Sequence, residues 1–279
     1  MINIENIIPQ KNLIILSPHY DDVPLTFGGY LDALSQKKLI SDAPEDKSVR
    51  IIMLFSRSNY QARDDRGNAD TSLARIQHAT GIRQIEDLCC LDQIMGRCNY
   101  SYEIKFETEC VLRAKGWKEG EEFEFPQGNK STYDEDDWNI YKRFRKYSKK
   151  WLLKDNTALL LPLGIKEHID HVLIRDAVLD TMVELGAGMR AALYFGEDQP
   201  YTGLASEEDF NKANKIITAF GLKPLDYEIN AGRKADLIMQ NYPTQIEESY
   251  KKGILLRSEL LSEEHGINRG VERMYGLKN

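Results

Sequence analysis

Leu13-Ile14-Ile15-Leu16-Ser17-Pro18-His19-Tyr20-Asp21-Asp22 is the stretch that decides how this chain reads. Four apolar residues closed by Ser-Pro predict a buried parallel strand that ends at a loop. The loop then presents one imidazole and two carboxylates. The pattern returns far downstream. Ala158-Leu159-Leu160-Leu161 is apolar, Pro162 and Gly164 break it, and His168-Ile169-Asp170-His171 follows. In an open α/β sheet both loops emerge at the carboxyl edge of the strands, where ligands bind. Two His/Asp clusters placed this way point to one metal site assembled from both.

A catalytic zinc takes about three His or Asp/Glu ligands and keeps a position for water. The pKa of that water falls to about 7. His19 and Asp22 lie three apart around a sharp turn, so both can face one ion. With Asp22 as a ligand, Asp21 is left to take a proton from the water. Of His168 and His171, one completes the ligand set and the other steadies an oxyanion or protonates a leaving amine. Asp170 can orient a histidine from behind. Each residue also has a plainer use. Asp21 or Asp22 can cap the helix expected from about Val23, and a lone histidine is more often at a surface or a helix end. The chain has five histidines (19, 78, 168, 171 and 265), and three of them fall in these two loops.

The two segments together resemble a known family. Ser17-Pro18-His19-Tyr20-Asp21-Asp22, followed by Thr26-Phe27-Gly28-Gly29, is similar to the His-Pro-Asp-Asp-Glu…Gly-Gly signature of the PIG-L/LmbE-like zinc-dependent de-N-acetylases. His168-Ile169-Asp170-His171 resembles that family's His-x-Asp-His motif. Tyr194 to Tyr201, Tyr242-Pro243-Thr244-Gln245 and Gly270 to Tyr275 resemble its later segments, so the likeness spans nearly the whole chain. It implies a Rossmann-like fold. It implies His19, Asp22 and His171 as zinc ligands, Asp21 as general base, His168 as the group that steadies the intermediate or protonates the amine, and Asp170 as tuning the histidines. Arg75 resembles the family's arginine in an Arg-x-x-Glu helix, although His78 stands where the glutamate belongs. Glu197, Asp198 and Tyr201 become candidates for lining the pocket. Two departures stand out: Val23 replaces the family's Glu, and Tyr20 replaces its Pro.

A chain of 279 residues, 42% of them hydrophobic, can bury a substantial core. Its net charge of −7 argues against nucleic acid as a partner. No apolar run approaches the ~20 residues that span a bilayer, and the first residues lack the marks of a signal peptide. Cys89, Cys90, Cys98 and Cys110 show no C-x-x-C spacing and read as reduced thiols of a cytoplasmic protein. Strands are expected at 12–16, 49–55, 85–91, 157–162 and 191–195, with a short one near 225–229. Helices are expected at 23–38, 72–80, 170–185, 207–220 and 232–240, and residues 245–279 as helical and then irregular. Arg57 and Asp92, each just past a strand end, are candidate substrate contacts. Residues 96–150 interrupt the pattern with charge and aromatics and suggest an insertion or lid, centred on 115–135. There Trp138, Tyr141 and Phe144 fit one packed helix face.

The βαβα order with an α-rich tail argues for a single domain over 1–279, an α/β three-layer sandwich with a mostly parallel sheet. The expected function is a zinc-dependent hydrolase, with another divalent metal as the variant, that removes an N-acetyl group from an amino sugar or glycoside. The expected partner is that small molecule, with neither nucleic acid nor membrane. Two alternatives stand beside it. A divalent-metal sugar-nucleotide transferase would hold its ion on Asp21 and Asp22 without needing the histidines. A non-catalytic carbohydrate-binding protein would bind on the same scaffold without turnover.

Overall fold

The computed structural model describes residues 3–41, 43, 45–113 and 125–277. Among them, seven strands form one sheet: β1 (Asn12–Ser17), β2 (Ser48–Met53), β3 (Tyr100–Ile104), β4 (Thr157–Pro162), β5 (Ala192–Gly196), β6 (Leu222–Ile229) and β7 (Gly270–Leu277). The helices are α1 (Ile4–Ile7), α2 (Asp22–Gln36), α3 (Asp65–Ala69), α4 (Leu73–Met95), α5 (Glu135–Leu152), α6 (Ile169–Leu185), α7 (Glu207–Ala219), α8 (Ala231–Asn241) and α9 (Glu248–His265). The strand order is β3-β2-β1-β4-β5-β7-β6. The first five strands run parallel, and β7 pairs antiparallel with both β5 and β6. No helix among the described residues is long and apolar enough to cross a membrane.

Alternation along β1 explains the architecture. Leu13 and Ile15 join one apolar cluster with Phe27 and Leu31 of α2, Leu91 of α4 and Ile238 of α8. Ile14 and Leu16 join another with Phe144 of α5 and Val172 of α6. A strand buried on both faces reads as an unbroken apolar run, as these do. Helix α2 is buried along most of its length, as expected of a helix held between a sheet and other helices. Its Gly29 meets a carboxylate rather than the metal loop. A Cβ there would lie 2.7 Å from Glu272 Oε2 on β7.

Three expectations change. The strand expected at 85–91 is part of α4, a single helix through Gly81. A Cβ at Gly81 would touch nothing, so this glycine carries only its propensity cost of about 1 kcal/mol. Helical spacing then buries Ala79, Arg83, Glu86, Asp87, Cys90, Leu91 and Ile94 while leaving Ile85 exposed. The third strand is β3. Residues 96–113 and 125–150 therefore include β3 and most of α5 and do not simply interrupt the pattern. Tyr141 and Phe144 are buried on α5, while Trp138 sits at the margin against the Tyr133 and Tyr141 rings. Of the expected lid at 115–135, residues 115–124 lie outside the described residues. The tail does not end irregularly, because β7 inserts between β5 and β6 and pairs with β6 along its whole length.

Candidate metal centre

The strand order reverses between β1 and β4, which are parallel neighbours. Their carboxyl ends therefore open side by side into the crevice where doubly wound sheets bind ligands. After β1 the chain turns sharply. Ser17 Oγ donates to His19 O at 2.6 Å, and Leu54 and Phe55 of the β2 end donate their N–H groups to Ser17 O and Pro18 O. After β4, Gly164 (φ 78°), Lys166 (φ 65°) and Glu167 (φ 54°) take left-handed conformations, and His168 becomes the N-cap of α6. One turn further along that helix is His171.

Three donor atoms converge. Asp22 Oδ2 lies 3.1 Å from His19 Nδ1 and 3.2 Å from His171 Nε2, and the two nitrogens are 3.3 Å apart. A tetrahedral zinc with ligands at about 2.0–2.1 Å has donor–donor edges of about 3.3–3.4 Å, so the triangle has the size such an ion requires. The far nitrogens are held as well. His171 Nδ1 donates to Asp198 Oδ1 at 2.6 Å, and His19 Nε2 donates to Asp170 Oδ2 at 3.0 Å. With the far proton held there, each ring can bare its near nitrogen to a cation, the pattern of a carboxylate–histidine–metal relay. Histidine and carboxylate donors of this kind suit zinc and related divalent ions. Without an ion the cluster keeps protons. Burial opposes charge on His19, but the hydrogen bonds to Asp170 and Asp22 outweigh it and push its pKa up to about 9. His171 is raised in the same way against burial by Asp22 and Asp198. Asp22 is held well below the usual carboxylate range, the charge and hydrogen bond of His171 overcoming burial. A cation entering here displaces those protons.

Asp21 and His168 stand differently. Asp21 occupies the N-cap position of α2, yet its side chain makes no capping bond. Burial and then the charge of Asp22 push its carboxyl up to about 6, against the pull of Arg83 at 4.0 Å. His168 Nδ1 accepts the N–H of Asp170 at 3.3 Å, which leaves the ring proton on Nε2. Burial, then the charges of His19 and His171, lower its pKa well below that of a free histidine. It is a neutral donor on the cavity wall.

These side chains share one cavity. It is lined by His19, Asp21, Asp22, His168 and His171 with Arg83, Glu109 and Cys110, and walled by Tyr60, Phe125, Tyr201 and Tyr250. The remaining expected residues are placed as follows. Asp170 sits behind His19, and it also accepts from Cys110 N and Arg113 Nη2. Asp198 lies behind His171 and not on the wall, accepting from Gly164 N and Ile165 N as well. Glu197 is buried in a two-point pair with Arg257 and takes the Tyr275 hydroxyl. Tyr201 lines the cavity. Arg57 is exposed. Asp92 accepts from Tyr100 Oη at the opposite edge of the sheet, because it belongs to α4 and not to a strand end. Arg75 is tied to Asn59, Gln61 and Asp64 away from the cavity.

The arginine that does reach the cavity is Arg83. The sequence holds its signal, since Arg83-Gln84-Ile85-Glu86 has the Arg-x-x-Glu spacing; assigning a strand at 85–91 hid it. Arg83 donates to Glu109, Ser58 and Gln245 and lies over the buried Tyr20 ring. Glu86 in turn accepts from Thr244 and Gln245. The Tyr242-Pro243-Thr244-Gln245 segment is thus the clamp on this arginine. Val23, in place of a glutamate, is simply core.

No protein-family model matches the sequence, and no curated protein matches it. Solved structures do match. The A40926 pseudoaglycone deacetylase aligns over 96% of this chain and 97% of its own at 16% identity, with a TM-score of 0.58. The zinc-inhibited form of teicoplanin deacetylase aligns over 95% and 97% at 17% identity, TM-score 0.59. A deacetylase–teicoplanin complex aligns over 95% and 97% at 18% identity, TM-score 0.57. The chain has the fold of these enzymes from end to end.

Proposed function

We propose that this chain is a zinc-dependent N-deacetylase of the PIG-L/LmbE type, a Rossmann-like three-layer sandwich that removes an acetyl group from an amino sugar or glycoside. The observation that carries the reading is the triangle of His19, Asp22 and His171 donors beside an uncommitted carboxylate and a neutral histidine. The fold shared with deacetylases of glycopeptide antibiotics supports it. Four cysteines without a disulfide support a cytoplasmic setting.

A divalent ion held by His19, Asp22 and His171 would supply an acidic water and polarise an acyl oxygen. The residues do the rest. Asp21, uncommitted and with a pKa raised toward neutrality, takes a proton from the attacking water. The water oxygen bonds to the acyl carbon. His168 donates its Nε2–H to the oxygen that gains negative charge, a preorganised donor in a buried site. Because His168 is neutral and keeps its one ring proton, Asp21 is the source of the proton that reaches the amide nitrogen. The carbon–nitrogen bond then breaks to give acetate and an amine. The aromatic wall offers ring faces to a sugar. Among the described wall residues Arg83 is the one arginine, and it is already paired with Glu109, which disfavours a diphosphate substrate.

The test is zinc content and acetate release from a panel of N-acetyl sugars, for the wild-type protein beside His171→Ala. About one zinc per chain and turnover, both lost in the variant, are expected. Failure of the wild type to take up zinc would overturn the reading.

A further inference from the structure

The mechanism leaves one cavity side chain without a task. Cys110 is fully buried on the cavity wall, with its backbone N–H and its thiol both turned to Asp170. One donor atom each from Cys110, His168 and Asp170 lie within 4.8 Å of one another, all buried. None of the three belongs to the His19/Asp22/His171 triangle. We propose that Cys110, His168 and Asp170 form a second cation site that takes a soft divalent ion, zinc in excess or cadmium, and that its filling stops turnover.

The donor set sets the class of ion. A thiolate with an imidazole and a carboxylate suits zinc and softer ions and excludes magnesium and calcium, which take oxygen donors. The thiol must lose its proton to bind, so each ion that enters releases one proton from Cys110 to solvent as the metal–sulfur bond forms. The spacing sets the rank of the site. Donors up to 4.8 Å apart are wider than the triangle's 3.1–3.3 Å edges, so the three side chains must draw together and the triangle fills first. Arg113, paired with Asp170, opposes a further cation and weakens the site in the same direction.

Inhibition follows from what the second ion occupies. It takes the imidazole of His168, the donor to the acyl oxygen. It also draws on Asp170, whose Oδ2 holds His19 Nε2 in place. The existence of the site is independent of the deacetylase reading, whereas its inhibitory effect rests on it.

The experiment uses the full chain loaded with one equivalent of zinc and titrated with cadmium, followed by thiolate-to-cadmium charge-transfer absorption and by metal content. Cys110→Ser and Cys110→Ala are treated in parallel, and circular dichroism confirms that each is folded. Cys89 and Cys98 are exposed, so the informative quantity is the difference between wild type and variant. The wild type should take a second ion with a one-equivalent absorption step that both variants lack. Acetate release at excess zinc, relative to one equivalent within the same protein, should fall by about tenfold or more in the wild type, the scale of losing a supporting contact to a metal site, and stay level in the variants. A second ion bound with the same absorption step in the variants, or equal inhibition in them, would overturn the proposal. A wild type that releases no acetate at any loading fails the deacetylase reading alone, because the absorption step still decides the site.

Discussion

Asp198 provides the sharpest test of how the triangle is held. Its carboxylate is almost fully buried and makes three short contacts: His171 Nδ1 at 2.6 Å, Gly164 N at 2.7 Å and Ile165 N at 2.9 Å. Asp198→Asn keeps the shape but cannot serve all three. Two backbone N–H donors require the amide oxygen, which leaves the amide NH₂ facing His171 Nδ1. That nitrogen must then accept, and the ring proton moves to Nε2, the atom that has to be bare to hold a cation. Losing such a supporting contact costs about 10–100-fold in metal affinity. That is about 1.4–2.8 kcal/mol at tenfold per 1.4 kcal/mol. Zinc competition against a chelator of graded strength reads this directly. Glu197→Gln is the control. Its neighbouring carboxylate is equally buried but pairs with Arg257 and Tyr275, so the change should lower the denaturation midpoint and leave zinc affinity alone. Equal zinc affinity in wild type and Asp198→Asn would refute the orienting role.

Asp21→Asn should keep full zinc content and lose about 10²–10⁴-fold in kcat, the scale of a general base, as acetate release will show. Arg83→Ala leaves Glu109 buried without its partner and should cost about 3–5 kcal/mol in urea unfolding, partly recovered by adding Glu109→Gln. Asp87 carries a pH signature. It is fully buried, and burial outweighs the hydroxyls of Tyr102 and Tyr242 to raise its pKa well above the usual carboxylate value. A carboxyl raised by folding adds stability while protonated, and that contribution is lost as pH climbs from about 4 through the folded value. The wild type should therefore lose stability relative to Asp87→Asn between pH 5 and pH 8, and a difference that stays flat in urea midpoints would contradict the assignment.

How legible all this was from sequence depended on distance along the chain. The two motif loops were readable because each strand's burial and each loop's chemistry are local: an apolar run, a breaker, then polar residues. The partners of the histidines were less so. Asp170 lies one residue from His171 yet supports His19, and Asp198 supports His171 from just past β5, because the pairing of β4 with β1 and β5 and not sequence spacing decides which carboxylate meets which ring. Arg83 goes unnoticed in the sequence because Ile85 to Leu91 is apolar enough to pass for a strand. Only the packing of α4 against α2 and α8 shows which of those residues face inward. The last strand was hidden for a similar reason. Val271-Glu272-Arg273-Met274 alternates poorly, since Glu272 is buried on an ion pair with Lys234 that no local pattern announces.

The start of α2 gives an argument that neither motif nor resemblance supplies. Four other helices are capped by short polar side chains: Ser72 on α4, Asp134 and Ser206 with full capping boxes on α5 and α7, and Asn230 on α8. At α2 an aspartate stands in the capping position and does not cap, and the next aspartate turns back to accept the N–H of His19. A missing cap costs about 0.5–2 kcal/mol, so the arrangement is not explained by helix stability. It leaves the positive end of the helix dipole beside two carboxylates, which that field favours in their charged form. Asp22 remains an ionised donor against burial chiefly through the charge and hydrogen bond of His171, in the same direction as this field. Asp21, disfavoured in its charged form by burial and by the charge of Asp22, has its pKa pushed up to about 6, and the 4.0 Å pairing with Arg83 is the contact that loosens when it takes a proton. Glu247 at the start of α9 also makes no side-chain cap, so what sets Asp21 apart is its place on the cavity wall beside the donor triangle. Under the proposed function, the attacking water is the partner of that carboxylate.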